Sequence, residues 1–328
     1  MTRRANPPQR PQHTPLEHKL AELRALDVGA AGAIYELRTA LRSSTGILVA
    51  SAAKIVADHR IESLIEELAP AFVRLLEDAV KRDPGCRGKT AIVKALHALD
   101  HWEDRVFVAG LRHVQPEGWG ADDTAAELRG LCGLAHAQFA RDDALSVLAT
   151  LLADSERVTR AGAARGLGDA GRPDASALLR YKLLVDDPDA EVTAACVESL
   201  LSLARDSSYD FLIDLLEAHD ERAEVVALAL GGERIARAFK PLVAWCIGCK
   251  TEQRHRVGYL AIALLRMEPA NEYLLDAIRS HARPAAVSAA RALATFKDDV
   301  ALARRIRDAA REHKDPTLHR EVDELLER

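Results

Sequence analysis

Aromatic residues are scarce in this chain: Phe, Trp and Tyr make up only 4% of 328 residues, while Ala and Leu dominate a hydrophobic share of 48%. Valine-rich alternating runs are missing as well, which excludes a sheet-based core, and the small unbranched residues that remain favour helices. Apolar positions recur at spacings of three and four, the period of a helix face. Long hydrophobic runs are also lacking. The longest, Ile47–Ala53 and Val225–Leu230, fall well short of the roughly 20 residues that a membrane helix needs. Cysteine is sparse, with five residues at no framework spacing, a pattern that fits reduced thiols in a cytoplasm rather than disulfides. The first residues, MTRRANPPQRPQHTP, have no apolar stretch to act as a secretory core and are expected to form a disordered basic arm over 1–15. Charge of one sign is not in excess either. The 45 Lys and Arg stand against 50 Asp and Glu, a net charge of -5, so nothing draws the whole chain to nucleic acid or to an anionic membrane. Any basic site must be local.

What the chain does have is internal repetition. In DDPDAEVTAACVESLLSL (Asp186–Leu203), Asp187 and Pro188 are followed by Val192, five places after the Asp. Small or apolar residues then come three, four, seven and eight places after Val192. DSERVTRAGAARGLG repeats the pattern from Asp154, with Thr159 at the anchor position and Gly162, Ala163 and Leu167 behind it. KDPTLHREVDELLER keeps the second half, with Leu318, Val322, Leu325 and Leu326, although its Asp315 lies closer to the anchor. Further anchors at Leu128, Val225, Val257 and Ala285, and a weaker first copy near Ile47, set the repeats about 28 to 40 residues apart, the range of helical-hairpin arrays.

The same template explains a stretch that looks at first like a phosphate-binding loop. In RDPGCRGKTAIVKAL (Arg82–Leu96), Gly88, Lys89 and Thr90 match the end of G-x-x-x-x-G-K-[ST], but Asp83 stands where the first glycine is required. The preceding LLEDAVKRD is helical in pattern where a strand is needed. Asp83 and Pro84 instead take the repeat's starting positions, Gly88 its anchor, and Ala91, Ile92, Ala95 and Leu96 its buried positions.

These residues resemble the HEAT-repeat family, and the Asp-Pro start with an Ala-rich second helix is most similar to the bacterial repeats first associated with phycobilisome lyases. The expected fold is an all-α solenoid of about eight to nine stacked antiparallel hairpins over residues 16–328. Each hairpin has an apolar stripe too wide to bury alone, so stacking closes the core. The repeat's Asp can cap the second helix, and Ala and Gly on its buried side let helices approach closely. The resemblance implies an elongated right-handed superhelix with the second helices lining its concave face.

On that face, the positions one and six places after each anchor hold Lys89 and Lys94, Arg129, and Arg160 and Arg165, followed by Thr193 and Glu198. Five cations without an acid in the same slots form a candidate binding stripe for an acidic peptide, a phosphate backbone or an anionic cofactor. The alternative is a structural ladder with Asp123, Asp154 and Asp187, with Arg160 beside the Asp-rich helix start as the ladder member and Arg165 as the stripe member. HVQPEGWGADD (His113–Asp123) is the longest interruption within a repeat and places Trp119 between two glycines, either as a contact residue or folded back as a plug. WCIGC (Trp245–Cys249) has no second ligand pair to complete a zinc site and no strand-to-helix setting for redox chemistry, so buried structural cysteines are expected. His97 and His101 offer only spacing as a metal argument, and neither a metal nor a cofactor is expected.

No acid, base and nucleophile set converges in the pattern. The expectation is a non-catalytic protein-interaction scaffold in the cytoplasm whose partner is a protein, with an acidic one suited to the basic stripe. A nucleic-acid module or HEAT-like DNA glycosylase is the alternative, although few aromatics are available to hold an extruded base. A phycobilin lyase-like role is a further alternative, suggested by the repeat subtype alone.

Overall fold

The computed structural model describes residues 15–120, 122–139 and 141–327. The arm expected over 1–15 lies outside these residues except for Pro15, which opens the first helix. The chain divides into two compact units, one ending at Gly166 and one beginning at Leu167.

The N-terminal unit starts with α1 (Pro15–Arg24). It continues with the pair α2 (Ala33–Leu41) and α3 (Gly46–Asp58), then α4 (Ile65–Leu76), the single turn α5 (Ala79–Arg82) and α6 (Arg87–Ala98). Next come α7 (Asp104–Arg112), a hairpin of β1 (Pro116–Glu117) and β2 (Asp122–Asp123), and α8 (Ala126–Gln138), followed by α9 (Ala144–Leu151) and α10 (Arg157–Asp169), inside which the unit ends. The C-terminal unit holds α11 (Ala175–Val185) and α12 (Ala190–Glu217), which breaks at Ala204 (φ −149°, ψ 46°) and so supplies the second helix of one pair and the first of the next. It closes with α13 (Glu221–Gly232), α14 (Phe239–Gly248) with α15 (Glu252–Leu264), α16 (Glu268–Ser280) with α17 (Arg283–Ala294), and α18 (Val300–Glu312) with α19 (Leu318–Glu327).

Second helices stack on second helices. In the N-terminal unit α3 packs on α6 and α6 on α8; in the C-terminal unit α12, α13, α15, α17 and α19 pack in sequence. First helices make a second layer, with α2 against α4, α4 against α7, and α16 against α18. This is the all-α solenoid architecture that the helical spacing predicts, and no described helix is long and apolar enough to cross a membrane. The buried positions of α3 (Leu48, Val49, Ala52, Ala53, Val56) recur at three and four, and they meet Ile92, Ala95 and Leu96 of α6 in one core with Phe72 and Phe107.

Two glycine contacts set how closely the second helices approach. A Cβ on Gly46 would lie 2.2 Å from Asp83 Oδ1, and one on Gly162 would lie 2.9 Å from the Cα of Gly130. Backbone can come this near to backbone or carboxylate only where side chains are absent. Asp83, which the sequence places in the slot of a missing P-loop glycine, is buried here. Its Oδ1 accepts from Gly88 N–H (2.7 Å) and its Oδ2 from Lys89 N–H (3.0 Å), two donors that the first turn of α6 leaves without intrahelical partners. The segment ahead of it has α4 and α5 on either side of a break at Glu77 and Asp78, with no strand.

Candidate interaction site

The repeat Asp residues attract the cations that follow them. Lys89 is fully buried, with Nζ 3.0 Å from Asp83 Oδ2 and 3.4 Å from the carbonyl of Leu75. Such a pair survives burial because Asp83 also receives two backbone N–H bonds, which offset part of its desolvation. Arg129, 4% exposed, grips Asp154 through Nε (2.8 Å) and Nη2 (2.9 Å) and gives Nη1 to Asp123 and to the carbonyl of His113. Burial works against the charge of Arg129, but the hydrogen bonds to Asp154 and then Asp123 outweigh it and hold the guanidinium above its ordinary value. Asp123 is likewise disfavoured by burial, yet the N–H of Gln115 and the guanidinium of Arg129 bring it below the usual carboxylate range. Arg160, 7% exposed, donates Nη1 to the carbonyls of Asp154 (3.0 Å) and Ser155 (2.8 Å). In the C-terminal unit the side chain of Asp187, 3% exposed, pairs with Lys182 at 2.8 Å.

The expected stripe is therefore corrected at three of its five positions. Lys89, Arg129 and Arg160 are turned into the stack, whereas Lys94 is half exposed and pairs with Glu127 (2.7 Å), and Arg165 is exposed. The reason is angular. Positions one and six places after an anchor are five residues apart, which places them about 140° apart around a helix. The earlier position lies in the first turn beside the Asp carboxylates; the later one points elsewhere.

The interruption between α7 and α8 is an ordered hairpin, with Pro116 opposite Asp123 and Glu117 opposite Asp122. Gly118 takes a left-handed conformation (φ 74°) at its turn. Its base is tied down by polar groups. Gln115, 1% exposed, donates Nε2 to the carbonyl of Asp83 (2.8 Å) and to Glu117 Oε1 (2.6 Å), while its own N–H reaches Asp123 Oδ1 (2.8 Å). Glu117 Oε1 also accepts from Gly85 N–H and from the Thr124 hydroxyl, both at 2.8 Å. Burial alone would raise the carboxyl of Glu117, but these bonds and the charge of Lys89 bring it below its ordinary value.

Trp119 stands at the tip, fully exposed (108%). The two other tryptophans are packed: Trp245 is buried, and Trp102 stacks on Phe107 at 4.5 Å, donates to Asp104 and lies under the guanidinium of Arg141. The plugging role considered for Trp119 falls to Gln115, a residue whose sequence setting gives no hint of it.

With this geometry in view, the family model for HEAT repeats matches residues 119–201 and 145–231. Residues 119–231 thus carry HEAT repeats. Among solved structures, the chain is similar to one from the complex of CpcE and CpcF of phycocyanin lyase from Nostoc sp. PCC7120, with 19% identity over 69% of this chain and 94% of that chain and a TM-score of 0.35. No curated protein matches it.

Within the helical stack, the remaining candidates are accounted for by packing. Cys246 and Cys249 are buried free thiols; burial pushes Cys246 up to about 12 and raises Cys249 as well. His97 meets the side chain of Gln138, and His101 lies beyond the end of α6, past Asp100 in a left-handed turn (φ 54°). Among the described residues, no three His, Cys, Asp or Glu side chains form a metal-binding group.

Proposed function

We propose that this HEAT-repeat protein is a non-catalytic scaffold that binds a protein partner, with the hairpin of β1 and β2 as the anchoring element. HEAT repeats commonly mediate protein interactions. The observation that carries the reading is a fully exposed Trp119 on a hairpin whose base is fixed by buried hydrogen bonds. A hairpin fixed at its base has little backbone freedom left to lose on docking, and tryptophan is prominent among residues that dominate interface energies. Lys94, which exchanges its surface partner Glu127 at little cost, and the exposed Arg165 are the two surface members of the basic set that a partner with acidic groups would meet. A phosphate-backbone ligand is less well served, because Lys89, Arg129 and Arg160 are taken up inside the stack. A cytoplasmic setting fits five buried free thiols.

The test compares wild type and Trp119→Ala as baits, identifies proteins captured by the first and lost with the second, and measures the affinity of the purified partner. Loss of an interfacial tryptophan is expected to weaken binding by about 30-fold or more. Equal affinity for the two baits removes the hairpin from the interface.

A further inference from the structure

A second feature of the N-terminal unit lies in its first-helix layer. Between the α2–α3 connection, α4, α5 and the start of α7 there is a cavity of about 570 Å³, lined by Arg74, Arg82, Arg105, Glu77 and Ser44 around the apolar Pro70 and Val73. Three guanidinium groups face one carboxylate, a formal charge of 3 − 1 = +2.

The three arginines are not equivalent. The guanidinium of Arg74 donates to carbonyl oxygens, those of Leu41 (2.6 Å), Ser43 (3.2 Å) and Pro70 (3.4 Å), and no carboxylate among the described residues pairs with it. The carbonyls of Leu41 and Ser43 end α2 and follow it, so the cation sits against the negative end of that helix, while that of Pro70 belongs to α4. Burial, then the neighbouring charge of Arg82, lowers its pKa, the mark of a cation whose charge is incompletely compensated. Arg82 spends Nη1 on the carbonyl of Arg74 (2.9 Å) and on Glu77 (2.8 Å), leaving Nε and Nη2 free to donate. The guanidinium of Arg105 is exposed and has no partner among the described residues. The donors thus outnumber the acceptors around the cavity, and the surplus positive charge would balance a dianion.

We propose that this cavity binds the phosphate group of an organic phosphomonoester, with Arg105 and Arg82 donating to its oxygens, Arg74 supplying the half-buried charge and Ser44 available as a further donor. A phosphate monoester has three acceptor oxygens and a charge near −2, matching the surplus better than a single carboxylate does. The volume lies within the about 300–1,000 Å³ typical of small-molecule sites and is far larger than the ion alone requires. Pro70 and Val73 give the carbon part of the ligand an apolar surface. The site is independent of Trp119 and of the scaffold reading.

The experiment titrates the full chain with phenyl phosphate, phosphoserine, a phosphoserine peptide, inorganic phosphate and sulfate by calorimetry. Saturable binding of the phosphomonoesters is expected, with inorganic phosphate and sulfate weaker. Arg105→Ala should leave the melting temperature unchanged and weaken binding by about 10-fold or more, the cost of losing charge-assisted hydrogen bonds. Glu77→Gln, which removes the opposing charge, should strengthen it. A peptide preferred over free phosphoserine places the phosphate on a protein, and the reverse order places it on a small molecule; both outcomes support the site. The proposal is overturned by the absence of saturable binding of any phosphomonoester, by inorganic phosphate and sulfate binding as well as the esters, or by binding that Arg105→Ala and Arg82→Ala leave intact.

Discussion

Replacing Arg129 with Met separates the ladder from a binding stripe most sharply, because it removes the charge while keeping much of the packing. Arg129 joins Asp123 to Asp154 and holds the carbonyl of His113, so the substitution leaves two carboxylates facing each other at side-chain exposures of 9% and 14%. Breaking a buried pair from one side typically costs about 3–5 kcal/mol. Asp123 keeps the N–H groups of Gln115 and Ala125, and Asp154 keeps that of Glu156, which favours the lower end, about 3 kcal/mol. The measurement is the urea midpoint followed by circular dichroism, with hydrogen exchange in α8 reporting on the N-terminal unit. The pH dependence supplies a check on sign. A carboxyl whose folded pKa is depressed contributes stability above its unfolded value, near ~3.9, and loses that contribution as pH falls through the folded value. The wild-type advantage should therefore be full at neutral pH and shrink as the solution is acidified below about pH 4. Lys94→Ala is the control: its partner Glu127 is equally exposed, and the loss should stay within about 0.5 kcal/mol. A loss under about 1 kcal/mol for Arg129→Met, unchanged by pH, would mean that Arg129 is not a ladder residue.

Gln115→Ala should free the hairpin from the start of α6, leaving the carbonyl of Asp83 and Glu117 short of a donor, at about 1–3 kcal/mol; faster amide exchange over 113–124 checks it, and unchanged protection would show that the tie is unimportant. The thiols of Cys86, Cys196 and Cys246, each pushed up to about 12 by burial, should resist a thiol reagent at pH 8 in the native protein and react on unfolding. Rapid native labelling of any of the three would contradict their placement in the core.

Much of the fold was legible in the sequence because it depends on local chemistry. Helix periodicity is written in spacings of three and four, and an Asp-Pro start followed by Gly or Ala at the contact positions states both where a second helix begins and how closely its neighbour can lie. Asp83, Gly88, Asp154 and Gly162 take the roles that these rules assign. The Trp119 loop was legible as an interruption of the repeat, but whether the ring plugs or projects depends on Gln115 reaching a carbonyl 32 residues earlier in the chain. Two Lys–Arg slots that look alike along the chain are about 140° apart around the helix, and only packing against the Asp residues decides which of them is buried. The phosphate-sized surplus of charge draws Ser44, Arg74, Arg82 and Arg105 from four separate segments. No periodicity links those segments, so their meeting is a property of how α2, α4 and α7 lie side by side. Short-range steric and hydrogen-bonding preferences determine the elements from sequence, whereas the sites arise from contacts between elements, which exist only once the helices have stacked.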